Sequence, residues 1–477
     1  MKILFVAGEA NPFIKTGGLG DVMGALPQAL KELGVEARVI IPKYKNIINE
    51  LSKNLKFIKH FNVQLGWRNQ YCGIFEHEFE GVIYYLVDNE FYFNRDNLYG
   101  YGDDEERFSY FDKAVLETIC EIEWYPDIIH CNDWHSGMIP VLLKLDYSKR
   151  KNYSEIKTVT SIHNLLFQGV FSKEILGDYF GYDDEVFNNG SLEFHGGISF
   201  MKGAISYSDR ISTVSKTYAE EIQTPQYGEK LDGLLKHKNY MLKGIVNGID
   251  YKEYNPCNDH YIYKKFNKKN IEYKLENKLA LQRELGLPEK ANTPMIGIVS
   301  RLAGQKGFDL ILSIIDEFLQ KDIQIVLLGT GDREYEEHFR MCQGRYRDKI
   351  SANIKFDNIL AHKIYSASDM FLMPSYFEPC GLGQLIALRY GSIPIVRETG
   401  GLKDTIVNYD EYNNVGNGFT FKEYNANALK KAINNALKVY ENREIWQKLI
   451  KEAMESDNSW GKSAKEYMEL YQGLIEG

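Results

Sequence analysis

Ile3-Leu4-Phe5-Val6-Ala7, followed by Lys15-Thr16-Gly17-Gly18-Leu19-Gly20-Asp21-Val22, decides the architecture of the first part of the chain. The apolar run has the length and continuity of a buried strand. Beyond the glycines, Met23, Leu26, Leu30 and Leu33 recur every three or four residues, which marks one face of a helix. Strand, glycine-rich loop and helix make the usual frame of an anion site. Glycines let the backbone approach a ligand, the first helical amides are unpaired, and the helix dipole favours negative charge. Lys15 adds a full positive charge, and a phosphate is the expected guest.

The same alternation continues along the chain. Strand-like runs at 37–41, 81–87, 127–130, 157–162 and 210–214 are separated by helix-length amphipathic stretches, the pattern of βαβ units around a parallel sheet. After Val246-Asn247-Gly248-Ile249-Asp250 comes a Lys- and Asn-rich segment at 261–278, which reads as a linker entering a surface helix with its lysines on a solvated face. A second α/β series opens at 294–299 and continues at 323–329, 370–374 and 393–396. The expected fold class is α/β, with two doubly wound Rossmann-like domains facing across a cleft and ligands at the carboxyl ends of the strands. The boundaries expected are 1–250 and 251–458. Trp460, Ala464, Tyr467 and Tyr471 fall at helical spacing, so a terminal helix over 459–477 should pack on one of the domains.

Composition narrows the function. A length of 477 residues suits two or three domains, and 44% hydrophobic residues supply ample core. A net charge of −9 argues against nucleic acid as the main partner, because such proteins need a basic field to displace counterions. No apolar run approaches the ~20 residues of a membrane span, and no signal peptide is evident. The six cysteines, at 72, 120, 131, 257, 342 and 380, show no paired spacing. Reduced thiols in the cytoplasm are the expectation.

The unusual clusters follow the strands. Arg301 and Lys306 stand five apart in a loop with Gly304 and Gly307. An Arg fork with a Lys point charge suits a diphosphate whose charge grows as its bond to carbon breaks. Glu378 precedes a proline and a glycine-rich helix start, where a carboxylate can accept sugar hydroxyls while Gly381, Leu382 and Gly383 offer amides to phosphate. As an alternative, Glu378 is an N-cap. Thr399, Gly400 and Gly401 form a second cluster of helix-start amides. His163 ends a strand in Ser-Ile-His-Asn, as a cleft residue or as a satisfied core partner. Asp133, Trp134 and His135 offer a carboxylate and an aromatic face of the kind that holds sugars.

Two alternatives fail on the residues. A zinc site from His130, Cys131 and His135 lacks standard spacing and a fourth ligand. Gly18 to Gly24 spells GxGxxxG, one residue off the dinucleotide fingerprint, but the second strand ends in Ile41-Pro42-Lys43 without the ribose-binding acid.

Taken in order, Lys15 to Val22, His130 to His135, Ser161 to Asn164, Ser300-Arg301-Leu302 with Gln305-Lys306-Gly307, Glu378 to Leu382 and Thr399 to Leu402 resemble the bacterial glycogen synthases, and the whole chain is similar to plant starch synthases. The resemblance implies a GT-B fold with the terminal helix crossing back to the first domain. It implies transfer of glucose from ADP-glucose to the non-reducing 4-hydroxyl of an α-1,4-glucan, with retention and with no metal or other cofactor. Arg301 and Lys306 would hold the departing diphosphate, and Glu378 and His163 would line the glucose site with Asn247 nearby. Lys15, Gly17 and Gly18 would close over the donor, with Cys380, Gly381, Leu382, Thr399 and Gly400 on its phosphate side. Asp133 and Trp134 would face the acceptor. Phe356 stands where the family often has a tyrosine stacked on adenine, and Cys131-Asn132 departs from the commoner residues before Asp-Trp. A double displacement would need a carboxylate beneath the anomeric carbon, and Glu378, Asp133 and Asp21 are the acids available. The family is usually described as using a front-face route instead. A silent binding protein on the same fold and a glucan phosphorylase are the rival readings, the latter lacking a recognisable pyridoxal-phosphate lysine motif.

Overall fold

The computed structural model describes residues 1–47 and 49–476. The chain forms two compact units, one of Met1–Val214, Ala219–Ile245 and Trp460–Gly477, the other of Ser215–Tyr218 and Val246–Ser459. The short excursion Ser215–Tyr218 has no signal in the sequence pattern.

The strands of the first unit are β1 (Lys2–Val6), β2 (Glu36–Pro42), β3 (Lys56–Leu65), β4 (Arg68–Phe79), β5 (Val82–Asp88), β6 (Ile128–Asn132), β7 (Lys157–Ile162), β8 (Val170–Phe171), β9 (Glu193–Phe194), β10 (Gly197–Ser199), β11 (Arg210–Thr213) and β12 (Leu242–Gly244). Nine of them form one sheet in the order β12-β11-β7-β6-β1-β2-β5-β4-β3, while β8, β10 and β9 make a small separate sheet. From β12 to β5 the strands run parallel, and β4 and β3 finish the edge as an antiparallel hairpin. The order reverses between β1 and β6, the kind of switch point that opens a crevice at the carboxyl ends. The loops after β1, β6 and β7 therefore bring Lys15 to Val22, Asp133-Trp134 and His163 to one end of the sheet.

The helix Gly18–Glu32 buries Leu19, Val22, Met23, Leu26 and Leu30 against β1 and β2. The terminal helix Trp460–Ile475 lays Trp460, Ala464, Tyr467, Leu470, Tyr471 and Leu474 into the same core. Its anchor is polar. Tyr471 Oη and His130 Nδ1 are 2.7 Å apart, and His130 Nε2 lies 2.5 Å from Ser161 Oγ, all fully buried. Burial pulls the His130 pKa down to about 3, so the imidazole is neutral and uses one nitrogen as donor and the other as acceptor.

The second unit has β13 (Met295–Val299), β14 (Gln324–Leu328), β15 (Ile350–Asn353), β16 (Met370–Met373), β17 (Ile393–Arg397) and β18 (Phe419–Phe421). They pair in the order β15-β14-β13-β16-β17-β18, parallel throughout, with the reversal between β13 and β16. This places the Arg301–Lys306 loop and the Ser375–Gly383 loop on either side of the switch point.

One expectation is overturned. The lysines entering the helix Tyr273–Glu284 are not all solvated: Lys274 and Lys278 are buried. Lys274 Nζ donates to the carbonyls of Tyr365 (3.2 Å), Ser366 (2.9 Å) and Tyr390 (3.1 Å) and to Ser392 Oγ (3.0 Å). Those carbonyls end the helices Asn358–Ala367 and Gly383–Arg389, where a cation is favoured by unpaired acceptors and by the dipole. Burial lowers the Lys274 pKa to about 7. Lys278 Nζ pairs with Asp369 Oδ2 at 2.7 Å. A helix face that packs through ammonium groups carries no apolar stripe to read.

Candidate active site

Three loops of the second unit converge on Glu378. The turn Gly304–Lys306 follows β13 and ends at Gly307, whose φ is +76°. A Cβ there would lie 2.1 Å from the Pro374 carbonyl oxygen, so only glycine lets the turn pack on the end of β16. That contact delivers Lys306 Nζ to 2.9 and 2.6 Å from the two oxygens of Glu378. Ser375 Oγ donates to Glu378 Oε2 at 3.0 Å. From the third loop Gly401 N donates to the Glu378 carbonyl at 3.2 Å, and a Cβ on Gly400 would come within 2.0 Å of that same oxygen. Glu378 is 6% exposed and its carboxylate is held on both oxygens.

Around this pair the other expected residues take distinct positions. Arg301 is exposed, on the loop that carries Lys306. Phe356, beyond β15, is 90% exposed, a free ring at the carboxyl edge of the sheet. Asn247 is buried, and its Oδ1 has no hydrogen-bond partner among the described residues. Cys380 is buried, and burial pushes its thiol up to about 12, which keeps it protonated. Gly381 has φ +75° and Leu382 begins the helix Gly383–Arg389, with Gln384 Nε2 donating to the carbonyls of Cys380 (3.0 Å) and Gly381 (2.9 Å). Thr399 is the fully buried N-cap residue of the helix Gly400–Thr405, in extended backbone. Ser215 and Thr217 fasten this edge: Ser215 Oγ donates to the Pro379 carbonyl, and Thr217 N and Oγ1 bond Asp404 at 2.9 and 2.6 Å.

In the first unit the glycine-rich loop already holds an internal anion. Glu9, 3% exposed, accepts from Thr16 N (2.6 Å), Thr16 Oγ1 (2.7 Å) and Gly20 N (3.1 Å). Burial raises its pKa against those hydrogen bonds. Lys15 Nζ pairs with Asp21 Oδ1 at 2.7 Å. Gly17 and Gly18 are exposed. The loop therefore spends some amides on its own carboxylate and leaves its glycine tip to solvent.

Asp133 follows β6 with φ +55° and ψ −173°, a region nearly reserved for glycine that costs an ordinary residue about 1–3 kcal/mol. Its Oδ1 accepts from His163 N at 2.8 Å, and burial lifts its pKa to about 7. His163 Nε2 lies 2.9 Å from Asn132 Oδ1, and burial pulls the ring down to about 4, leaving it neutral. Trp134 is 8% exposed: His135 lies tilted against it with ring centroids 4.1 Å apart, Phe108 and Phe171 meet it edge-on, and a Cβ on Gly169 would strike it at 2.5 Å. Its indole packs the floor beneath Asp133 and presents little face to a ligand. Among the described residues no three His, Cys, Asp or Glu side chains gather closely enough to hold a metal ion. No helix among them is long and apolar enough to cross a membrane.

Sequence reasoning gave no role to Glu9, Asn132 or Ser375. Glu9 lies six residues before Lys15 and belongs to no motif, and Ser375 precedes Glu378 by three residues, a spacing common to many loops.

Residues 2–237 match the starch synthase catalytic domain family, and residues 282–453 match glycosyl transferases group 1. The glycogen synthase of Clostridium perfringens is 65% identical over 100% of this chain and 99% of its own. The chain belongs to the glycogen synthase family. The glycogen synthase of Clostridioides difficile, at 52% identity, likewise spans both chains completely. The catalytic domain of starch synthase IV from Arabidopsis thaliana, solved bound to ADP and acarbose, superposes with a TM-score of 0.93 at 34% identity, over 100% of this chain and 99% of that one. Sucrose-phosphate synthase from Thermosynechococcus elongatus, at 18% identity and a TM-score of 0.62, shares the fold. As a glycogen synthase family member with two doubly wound α/β units, the chain has the GT-B fold and is a glucosyltransferase.

Proposed function

We propose that the chain transfers the glucosyl group of ADP-glucose to the non-reducing 4-hydroxyl of an α-1,4-glucan, with retention of configuration and release of ADP. The observation that carries this reading is the Lys306–Glu378 pair beside the exposed Arg301 at the switch point of the second unit. Arg301 grips the diphosphate as a fork and Lys306 as a point charge, so that negative charge developing on the leaving group meets two fixed cations. Phe356 stacks on the adenine. Glu378 accepts hydroxyls of the glucose and keeps Lys306 in place, and Asn247 lies beside that sugar. The loop amides near Thr399 and Gly400, with Cys380, Gly381 and Leu382, border the phosphates. Lys15, Gly17 and Gly18 belong to the donor, His163 to the glucosyl group and Asp133 to the acceptor.

In this scheme the bond from C1 to the diphosphate oxygen breaks while C1 bonds the acceptor O4 on the same face. The acceptor proton passes to the departing phosphate. Glu378, tied on both oxygens by Lys306 and Ser375, is a poor attacking group and a good anchor. Two positive charges against the diphosphate meet the electrostatic need that a metal would otherwise fill. The six unpaired cysteines suit a reducing cytoplasm.

The test is to incubate the protein with ADP-glucose or UDP-glucose and a glucan primer, then follow nucleoside diphosphate release and the anomeric configuration of the new linkage. ADP-glucose should be consumed with an α-linked product and unchanged rates in EDTA. A β-linked product, a glucosyl-enzyme trapped on Glu378, or turnover of neither donor would refute the proposal.

A further inference from the structure

Asn132 ends β6, is fully buried, and stands where its neighbours leave its side-chain amide a single orientation. Its Nδ2 donates to the carbonyl oxygens of Val6 (3.1 Å) and His130 (3.0 Å). Both partners can only accept, so the nitrogen of the amide must face them and Oδ1 must face away. Oδ1 then meets His163 Nε2 at 2.9 Å. An amide oxygen cannot donate, so the proton of that hydrogen bond belongs to the imidazole.

We infer that Asn132 is a positioning residue that fixes His163 in its Nε2–H tautomer, so that the ring offers Nδ1 as an acceptor and nothing as a second donor. His163 is held at its other end as well, since its backbone N–H donates to Asp133 Oδ1 at 2.8 Å. The ring is thus fixed in place and in proton position by two consecutive residues of the loop after β6. A neutral imidazole of this tautomer accepts a hydrogen bond from a sugar hydroxyl and leaves that hydroxyl's oxygen free to accept in turn. The tautomer stands on the hydrogen-bond geometry. Its consequence for turnover rests on the glucosyl transfer proposed above.

The titratable groups that face His163 are Asp133, through the backbone, and His130 on the adjacent strand, with Glu9 beyond Asp133. None of them contacts Nε2, so the charge state of residue 132 should dominate the ring. Replacing Asn132 by Asp places a carboxylate on Nε2, favours the imidazolium and removes the acceptor.

The experiment begins with the intact wild-type chain, labelled with 15N-histidine, in long-range proton–nitrogen correlation spectra. The His163 signals are assigned by their loss in His163→Asn among the 10 histidines. Between pH 6 and 8 the spectrum should show Nε2 protonated and Nδ1 bare. An Nδ1–H tautomer, or rapid exchange between the two, overturns the inference, and this readout needs no activity, only a folded His163→Asn protein in which the other histidine signals stay in place. Asn132→Ala should then lower kcat at least tenfold with donor KM within threefold. In Asn132→Asp the acid limb of kcat should move up by at least one pH unit relative to wild type, and the His163 ring nitrogens should titrate with the same upward shift in the 15N spectra, a signature that a change at Asp133 would not give. Full kcat in Asn132→Ala would refute the positioning role. A wild-type protein that transfers no glucose would refute the proposed function while leaving the tautomer to the spectra.

Discussion

Replacement of Lys306 by Ala tests the phosphate grip directly. The ammonium is 19% exposed and sits 2.9 and 2.6 Å from the oxygens of a carboxylate that is 7% exposed. Its removal acts twice. In turnover, a unit charge about 4 Å from the developing leaving-group charge is worth about 4 kcal/mol at an effective dielectric of ~20. The ground-state diphosphate is already charged, so only the increment counts, and removal of one preorganised donor typically costs about 2.7–4 kcal/mol. A loss of about 2–4 kcal/mol corresponds to roughly 30- to 1,000-fold in kcat. In stability, Glu378 keeps, among the described residues, only Ser375 Oγ as a side-chain donor, and an underpaired buried carboxylate costs about 1–3 kcal/mol. For a domain of about 200 residues each kcal/mol moves the midpoint by about 2–4 °C. Glu378→Gln on top of Lys306→Ala removes the stranded charge and should restore the melting temperature without restoring turnover, which separates grip from folding. The assay is ADP release at saturating glucan across donor concentrations, paired with thermal denaturation. Folded Lys306→Ala with kcat within threefold of wild type would refute the assignment.

Other outcomes follow from other parts of the molecule. Phe356→Ala should leave stability within about 0.5 kcal/mol, because the ring is 90% exposed, yet raise donor KM by about 5-fold or more, base stacking being worth about 1–3 kcal/mol; Phe356→Tyr should keep wild-type KM, and an unchanged KM in the alanine variant would sink the stacking role. Tyr471→Phe strips the phenol from a buried His130 and should destabilise the first unit by about 1–3 kcal/mol, read as an earlier midpoint in urea, whereas an unmoved midpoint would show that the contact is idle. Asp133 has its pKa raised by burial to about 7 from an ordinary 3.8, so between those values the native state holds a proton that the unfolded chain has released. Its contribution to stability therefore declines as pH rises from about 4 to 7 and is level above, and Asp133→Asn should flatten that part of the stability profile. An equal change in unfolding free energy between pH 5 and 7.5 in the two proteins, read from urea titrations, would contradict the buried carboxyl.

The parallel strands were legible because each is a continuous apolar run, and the site loops because they follow those runs. β1, β6, β7, β13, β16 and β17 lie where the residue pattern puts them. The hairpin of β3 and β4 escaped because its signal is of a different kind: Phe61-Asn62-Val63-Gln64-Leu65 alternates apolar and polar, the period of a half-buried antiparallel strand, and forms no continuous apolar run. β15 escaped because Ser351 and Asn353 interrupt Ile350 and Ala352, leaving no apolar run like that of the equally short β16. Lys274 and Lys278 read as surface charges because composition reports a lysine and never the carbonyls that will surround it. At the site, Arg301, Lys306 and Glu378 announced themselves by charge beside glycine. The Glu9 carboxylate inside the Thr16–Gly20 turn is a tertiary pairing with no spacing of its own. The burial of Trp134 is likewise invisible until Phe108, Phe171 and Gly169 are brought around it.

The helix Trp460–Ile475 completes a domain whose other segments end at Ile245. On the ribosome, that domain's sheet emerges long before the helix that covers part of its core. At about 5–20 residues per second the interval is roughly 10–40 s. Through it Ile3, Phe5 and Leu26 await their cover, and His130 lacks its phenol. The second unit, contiguous apart from four residues, can close first. Synthesis and folding thus run in opposite orders along this chain: the segment translated earliest is the last to be sealed, and the bed left for Trp460 and Tyr467 is the surface on which a chaperone would be needed.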